Sequence, residues 1–195
     1  MAQSVTSRAA KKRRKKRRFT TVLLTLVFLA CAGALFLLTF FPLSYDEEIT
    51  AACETYGVSP SLVYAVVRVE SNFDETAESN AGALGLMQIT PETYAWSLSR
   101  KHVSWDANTD VLLDPQVNLM TGVHVLSLLY EEFGDTDTVV AAYNAGVGNV
   151  EKWLADRRYT SDGKTLDSIP YGETSRYVQK IKRAQFAYKM LYNLD

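Results

Sequence analysis

Acidic residues are missing from the first 45 positions of this chain, and histidine and cysteine are scarce throughout, with two of each. Each shortage excludes something. His102 and His124 stand in no ligand-spaced motif, so histidine-based metal catalysis has no support, and neither a metal nor a cofactor is expected. Cys31 falls inside an apolar run and Cys53 outside it, which argues against an intramolecular disulfide. Cys53, in Ala51-Ala52-Cys53, reads as a small buried residue with no histidine partner for thiol chemistry. Gly82-Ala83-Leu84-Gly85 lacks the Lys-Ser/Thr of a phosphate-binding loop.

The missing acid at the N-terminus has a counterpart in basic residues. Nine of the 21 Lys and Arg residues fall at Arg8 and in the run Lys11 to Arg18, so the rest of the chain carries a net charge of −10. From Phe19 to Leu43 there are 25 residues without a charge, rich in Leu, Val and Phe. About 20 such residues cross a bilayer core, and the basic flank sets the orientation. Residues 1–18 therefore read as a cytoplasmic basic tail and 19–44 as a single transmembrane helix. Residues 45–195 read as one extracytoplasmic domain of roughly 150 residues, enough for a single core. The basic run is assigned to the membrane side and not to nucleic acid. Small residues at Ala30 to Ala34 resemble a cleavage or lipidation site around Cys31, but Leu35 to Phe41 prolong the apolar run beyond them. An uncleaved anchor in the cytoplasmic membrane, through residues 19–43, is the expectation.

Past residue 45 the pattern is helical. Asp46-Glu47-Glu48 open a short helix that Gly57 ends. Ser59 and Pro60 start a second, which runs to Glu70. Residues 71–80 form a polar loop, and Ala81 to Ile89 form either a tight hairpin or a close-packed loop. Thr90-Pro91 and Asp114-Pro115 are cap-plus-proline starts, separated by a polar stretch from Ser99 to Asp110. The second opens a long central helix to Phe133, with Leu119, Val123, Leu126, Tyr130 and Phe133 on one stripe. A short helix from Thr138 to Ala145 and a further short turn or helix from Asn149 to Ala155 follow, then a loop over 157–172. A final helix spans about Thr174 to Tyr192, with Tyr177, Ile181, Ala184, Tyr188 and Leu191 aligned. The expected fold is mostly α, with at most a small hairpin.

Glu70 is the residue on which the chemistry turns. Val66 and Val67 lie four and three residues before it and stack on its face. Its carboxylate either points into water or sits in an apolar cleft with a raised pKa, where it makes a general acid. A glycosidase built on two carboxylates needs a partner. Yet no Asp or Glu occurs from Ser79 to Pro91, the stretch expected to form the opposite lip. Asp74, Glu75 and Glu78 lie in the intervening loop, facing solvent by default. Glu173 opens the final helix, where the helix dipole favours a negative charge.

Four segments in order carry a resemblance: Glu70-Ser71, Ser79 to Ile89, Ala142-Tyr143-Asn144-Ala145-Gly146, and Glu173-Thr174-Ser175-Arg176-Tyr177-Val178. Each alone is weak. Together, over about residues 46–192, they resemble the lytic transglycosylases of the soluble-lytic-transglycosylase type, whose catalytic domain is lysozyme-like. The resemblance implies peptidoglycan glycan strands as substrate and cleavage of the β-1,4 bond between N-acetylmuramic acid and N-acetylglucosamine. It implies a single glutamate acting first as acid and then as base, with a 1,6-anhydromuramyl end as product and no water consumed. On these matches Glu70 is catalytic. Ser71, Ser79, Met87, Gln88, Tyr143, Asn144, Glu173 and Tyr177 match substrate-binding or cleft-lining positions, and Tyr177 is expected to help keep Glu70 protonated. Thr90 departs from the methionine many relatives have there. A hydrolytic muramidase on the same fold and an inactive wall-binding scaffold are the rival readings.

Overall fold

The computed structural model describes residues 2–100 and 108–195, with side chains from residue 14 onward. It divides into two units, 1–42 and 43–195. The first is one helix, α1 (Ala2–Phe40). Helix begins inside the basic tail and stops at Phe40, short of the expected residue 44. Its segment Arg14–Phe40 is long and apolar enough to cross a membrane, and none of its most apolar stretch is buried in the protein. Thr20, Thr21, Thr25 and Thr39 return their hydroxyls to carbonyls four residues back, so these four donors are matched on an apolar surface.

The second unit holds α2 (Asp46–Tyr56), α3 (Pro60–Glu70), α4 (Pro91–Arg100), α5 (Pro115–Phe133), α6 (Thr136–Ala145), α7 (Val147–Leu154) and α8 (Gly172–Tyr192). A short 3-10 turn, Asp110–Leu113, precedes α5. His102 and most of the polar stretch before Asp110 lie outside the described residues. The starts and stops follow local chemistry. Asp114 caps α5 by accepting from the Val117 N–H at 3.1 Å, and the Thr90 hydroxyl accepts from Thr93 at the head of α4. Gly57 and Gly134 close α2 and α5 with positive φ. Ser59 stands at the head of α3 as expected, but its hydroxyl meets the Ser61 hydroxyl at 2.9 Å instead of a backbone N–H. Helix α6 begins two residues earlier than Thr138, because Asp135 caps it through both the Thr138 N–H and its hydroxyl.

Helix α5 is the centre: Asn118, Leu119 and every residue from Thr121 to Leu126 are buried. Helix α2 packs along one side of it and α6 along another, and α8 packs on both α6 and α3. Helices α3 and α8 run antiparallel. Gln185 meets Ser61 at one end, and Tyr177 meets Glu70 at the other. Between them, Tyr64 stacks on Tyr188 with ring centroids 5.1 Å apart. Leu62, Val63, Ala65, Val66 and Val67 of α3 are all inaccessible to water, each larger side chain contributing about 1.5–3 kcal/mol of burial. Cys53 is likewise buried, and burial pushes its thiol up to about 12. His124 is buried beside Tyr56, its Nδ1 bonded to the Ser97 hydroxyl at 2.8 Å.

There is no strand among the described residues. Where a hairpin was one possibility, Leu84 makes isolated bridges to Glu78 and Ile89 and the chain folds into a close-packed lip. The domain is mostly α among the described residues, as expected.

Candidate active site

Glu70 is the last residue of α3, and the chain turns sharply after it: Asn72 and Phe73 both take left-handed backbone conformations, at φ 55° and 65°. Such conformations cost roughly 1–3 kcal/mol each and persist where surrounding structure enforces them. Here Phe73 packs toward Tyr64, ring centroids 6.3 Å apart. The turn leaves Glu70 half-buried over Val66 and Val67, at the end of α3 where the helix dipole is negative. Burial drives its carboxyl from an ordinary 4.5 up to about 7.

Tyr177, in the second turn of α8, donates its hydroxyl to Glu70 Oε1 at 2.5 Å. This corrects the expected role. A phenol that donates to a carboxylate stabilises the charged form, so Tyr177 pulls the Glu70 pKa down, while desolvation raises it more. Tyr177 orients the carboxylate; the apolar setting raises its pKa. Its own hydroxyl, buried beside that carboxyl, is held well above 10.

The lip opposite, residues 77–89, is tied down by three side chains from outside it and by bonds of its own. Ser71 donates to the Leu86 carbonyl at 2.8 Å, and Tyr143 at the end of α6 donates to the Met87 carbonyl at 2.8 Å. Asn118, buried in α5, accepts from the Met87 N–H and donates to the Leu84 and Leu112 carbonyls. Within the lip, the Ser79 hydroxyl accepts from the Ala81 and Ala83 N–H groups, and Gln88 Nε2 donates to the Ala77 and Gly85 carbonyls. Gly85 has φ 71° and lies so close to the 3-10 turn before α5 that an added Cβ would stand 2.5 Å from the Leu112 carbonyl oxygen.

The matched residues thus divide. Ser71, Ser79, Gln88 and Tyr143 direct polar groups to the lip backbone. Asn144 and Glu173 are exposed, and neither makes a side-chain hydrogen bond among the described residues. Met87, expected as a substrate contact, is fully buried: its side chain fills the notch at Gly122, and both its backbone groups are already bonded. The reason is the lip's inward turn at Gly85, which carries Leu86 and Met87 into the core. Glu75 also departs from expectation, being half-buried and accepting from the Tyr45 hydroxyl at 2.8 Å. Asn118 carried a signal that went unread: it shares a helical stripe with Gly122, Val125 and Leu129, where an amide in the core requires partners.

Tyr143 lies within electrostatic reach of Glu70 and also lines an apolar groove of about 260 Å³ between α4, α5 and α6, whose walls include Thr93, Trp96 and Leu129. Among the described residues, no three His, Cys, Asp or Glu side chains are grouped to hold a metal ion.

Residues 47–166 match the family model of the transglycosylase SLT domain. The chain is 34% identical over 143 residues to the soluble lytic murein transglycosylase of Salmonella typhimurium, covering 72% of this chain and 22% of that protein. It is 30% identical over 166 residues to the membrane-bound lytic murein transglycosylase C of Cronobacter sakazakii, covering 74% and 46%. Among solved structures it resembles an inactive mutant of the Pseudomonas aeruginosa lytic transglycosylase Slt, with a TM-score of 0.69, 32% identity and 78% of this chain covered against 25% of that one. The 70 kDa soluble lytic transglycosylase of Escherichia coli aligns with a TM-score of 0.70 at 30% identity, over 82% of this chain and 26% of that one. The chain thus spans from about a fifth to a half of the length of these relatives.

Proposed function

The chain belongs to the transglycosylase SLT family, and from that premise we propose that it is a membrane-anchored lytic murein transglycosylase. It cleaves the bond between N-acetylmuramic acid and N-acetylglucosamine in peptidoglycan and leaves 1,6-anhydromuramyl ends. The observation that carries this reading is the state of Glu70: a lone carboxyl raised to about 7, fixed by one phenol. At neutral pH such a group is populated in both forms, as a residue that gives and then takes a proton requires.

In the first half-reaction the Glu70 carboxyl protonates the glycosidic oxygen and the C1–O bond breaks. Charge developing at C1 is relieved by the substrate's own acetamido group. In the second, the Glu70 carboxylate takes the proton of the muramyl 6-hydroxyl as that oxygen bonds to C1. Protons and bonds balance without water or a second protein carboxylate, in keeping with the absence of Asp and Glu from Ser79 to Pro91. Tyr177 holds the carboxyl in line for both transfers. Asn144 and Glu173 contact the glycan directly, and flanking sugars lie against Trp96 and Tyr143 in the groove. Ser71, Ser79, Gln88 and Tyr143 keep the lip rigid, which matters because misplacement by about 1 Å can cost 10²-fold in rate.

Arg14–Phe40 anchors the chain in the cytoplasmic membrane, the basic tail inside and residues from 45 onward outside, with residues 1–18, 19–44 and 45–195 as tail, anchor and catalytic domain. Mass spectrometry of digested peptidoglycan tests the chemistry. Anhydro ends, lighter than reducing ends by one water, are expected; reducing ends alone would replace this reading with a hydrolytic muramidase.

A further inference from the structure

The turn that follows Glu70 is tied at both of its ends. Ser71 donates to the Leu86 carbonyl on the lip side, at 2.8 Å. At Glu75 the tie comes from elsewhere in the domain: Tyr45, at the head of α2, donates its hydroxyl to Glu75 Oε2 at 2.8 Å. Two residues further on, the Ala77 carbonyl accepts from the Gly85 N–H and from Gln88 Nε2, and the lip begins. Glu75 thus sits in the short stretch of chain that joins the acid to the lip opposite it.

That stretch is under backbone strain. Among the described residues, five that are not glycine have positive φ; three of them, Tyr45, Asn72 and Phe73, lie in the two segments this bond joins. Such conformations persist where surrounding structure enforces them. The Asp74 carboxylate accepts from the Thr76 N–H and hydroxyl, which shapes the turn without placing it. Helix α2 packs on α5 and α3 and buries Ile49, Ala52 and Cys53, so its own position does not depend on Glu75. It is a fixed point to which the turn is fastened. Burial and the neighbouring Glu75, Glu48 and Asp74 push the Tyr45 phenol up to about 12, so it remains a donor at any pH at which the chain works.

We propose that Tyr45 and Glu75 are positioning residues for the acid: their bond holds the 71–77 turn in its strained form and so keeps the Glu70 carboxyl in its apolar setting. The inference rests on the reading of Glu70 as the acid. Without the bond, Asn72 and Phe73 relax toward negative φ and the end of α3 opens to water. Glu70 then loses part of its desolvation. The titratable groups that face it, Tyr177 from α8 and Tyr143 from α6, stay where they are.

The test is the titration of the Glu70 carboxyl by carbon-13 NMR, on the full chain in detergent micelles without substrate, the signal being assigned through Glu70→Gln. Tyr45→Phe removes the donor and no charge; Glu75→Ala removes the acceptor. In both, Glu70 should titrate below about 7, toward 4.5. Glu75→Gln loses the same charge but keeps an acceptor oxygen, and should titrate with the parent. Asp46→Asn, one residue along, leaves the bond in place and should do likewise. In peptidoglycan digestion, Tyr45→Phe and Glu75→Ala should lower kcat by up to about 10²-fold, with far less change in KM. A Glu70 titration unmoved in both variants, with only the thermal midpoint lowered, would overturn the proposal and leave the bond a structural tie. So would a Glu75→Gln variant that shifts as far as Glu75→Ala, since the effect would then be one of charge. The titration needs no substrate, so a parent chain that releases no anhydro ends counts against the transglycosylase reading alone.

Discussion

Helix α3 carries the same pair of groups in opposite settings. At its C-terminal end Tyr177 donates to Glu70 at 2.5 Å; in its N-terminal half Tyr64 donates to Asp46 at 2.6 Å. Asp46 is exposed and opens α2, where the helix dipole favours its charge. Glu70 is half-buried and closes α3, where the dipole opposes charge and desolvation adds to it. A phenol–carboxylate hydrogen bond is thus a strap in one place and part of a proton-transfer site in the other. Burial and the sign of the helix end decide which.

The largest way to break the comparison is Glu70→Gln. Removing a general acid lowers the rate of anhydro-end release by about 10²–10⁴, while the Tyr177 contact and the fold persist. Stability moves the other way. Between pH 4.5 and about 7 the folded chain holds a proton that the unfolded chain releases, so stability falls as pH rises through that window. The loss is complete above pH 7 and amounts to at most about 3 kcal/mol. Glu70→Gln should therefore be more stable than the parent at about pH 8 and equal to it near pH 4. Urea unfolding at the two pH values checks this. Equal stability at both would mean that Glu70 is solvated after all.

Asn118→Ala comes next and strikes the support of the site. It unmakes three hydrogen bonds, two of them to lip backbone groups, and should destabilise the domain by about 2–4 kcal/mol. Gly122→Ala, whose added Cβ would collide with Met87 Sδ, should cost about 1–3 kcal/mol through the same lip. Both are read by thermal unfolding and by rate. The strap end should feel neither, so hydrogen exchange at α2 that rises as much as at residues 77–89 would defeat the distinction.

Asn118 also marks where the sequence stopped being informative. Helix starts and stops were legible because Asp114, Pro115, Gly57 and Gly134 act on their immediate neighbours. Glu70 was legible as the end of an apolar helix, with its pKa direction. The partners of Ser71 and Tyr143 were not, because each bonds a lip carbonyl 15 or 56 residues away, and periodicity carries no information about loop backbone. Met87 was misplaced for the same cause: matching placed it beside the cleft, and only the turn at Gly85 shows its side chain going inward. The effect of Tyr177 had its sign reversed because a contact between two residues does not reveal which one donates the proton.

Tyr177→Phe sharpens that last point. Losing a donor to the carboxylate should move the Glu70 pKa above about 7, shifting the alkaline limb of the pH–rate profile upward, with a modest loss of maximal rate from poorer orientation. A limb that moves down would restore the idea that the phenol protects the protonated form.

The smallest expected effect is at the strap. Asp46→Asn keeps an oxygen for the Tyr64 hydroxyl and removes only the charge, with its first-turn dipole term. Stability should fall by about 0.5–1.5 kcal/mol. The pH–rate profile should overlay that of the parent, since five residues of α3, with Ala65, Val66 and Val67 fully buried among them, lie between Tyr64 and Glu70. If the alkaline limb moves with Asp46→Asn, the two ends share one electrostatic field and Glu70 is tuned from the strap as well as by its own burial. If it does not move, local desolvation is sufficient to account for the raised pKa.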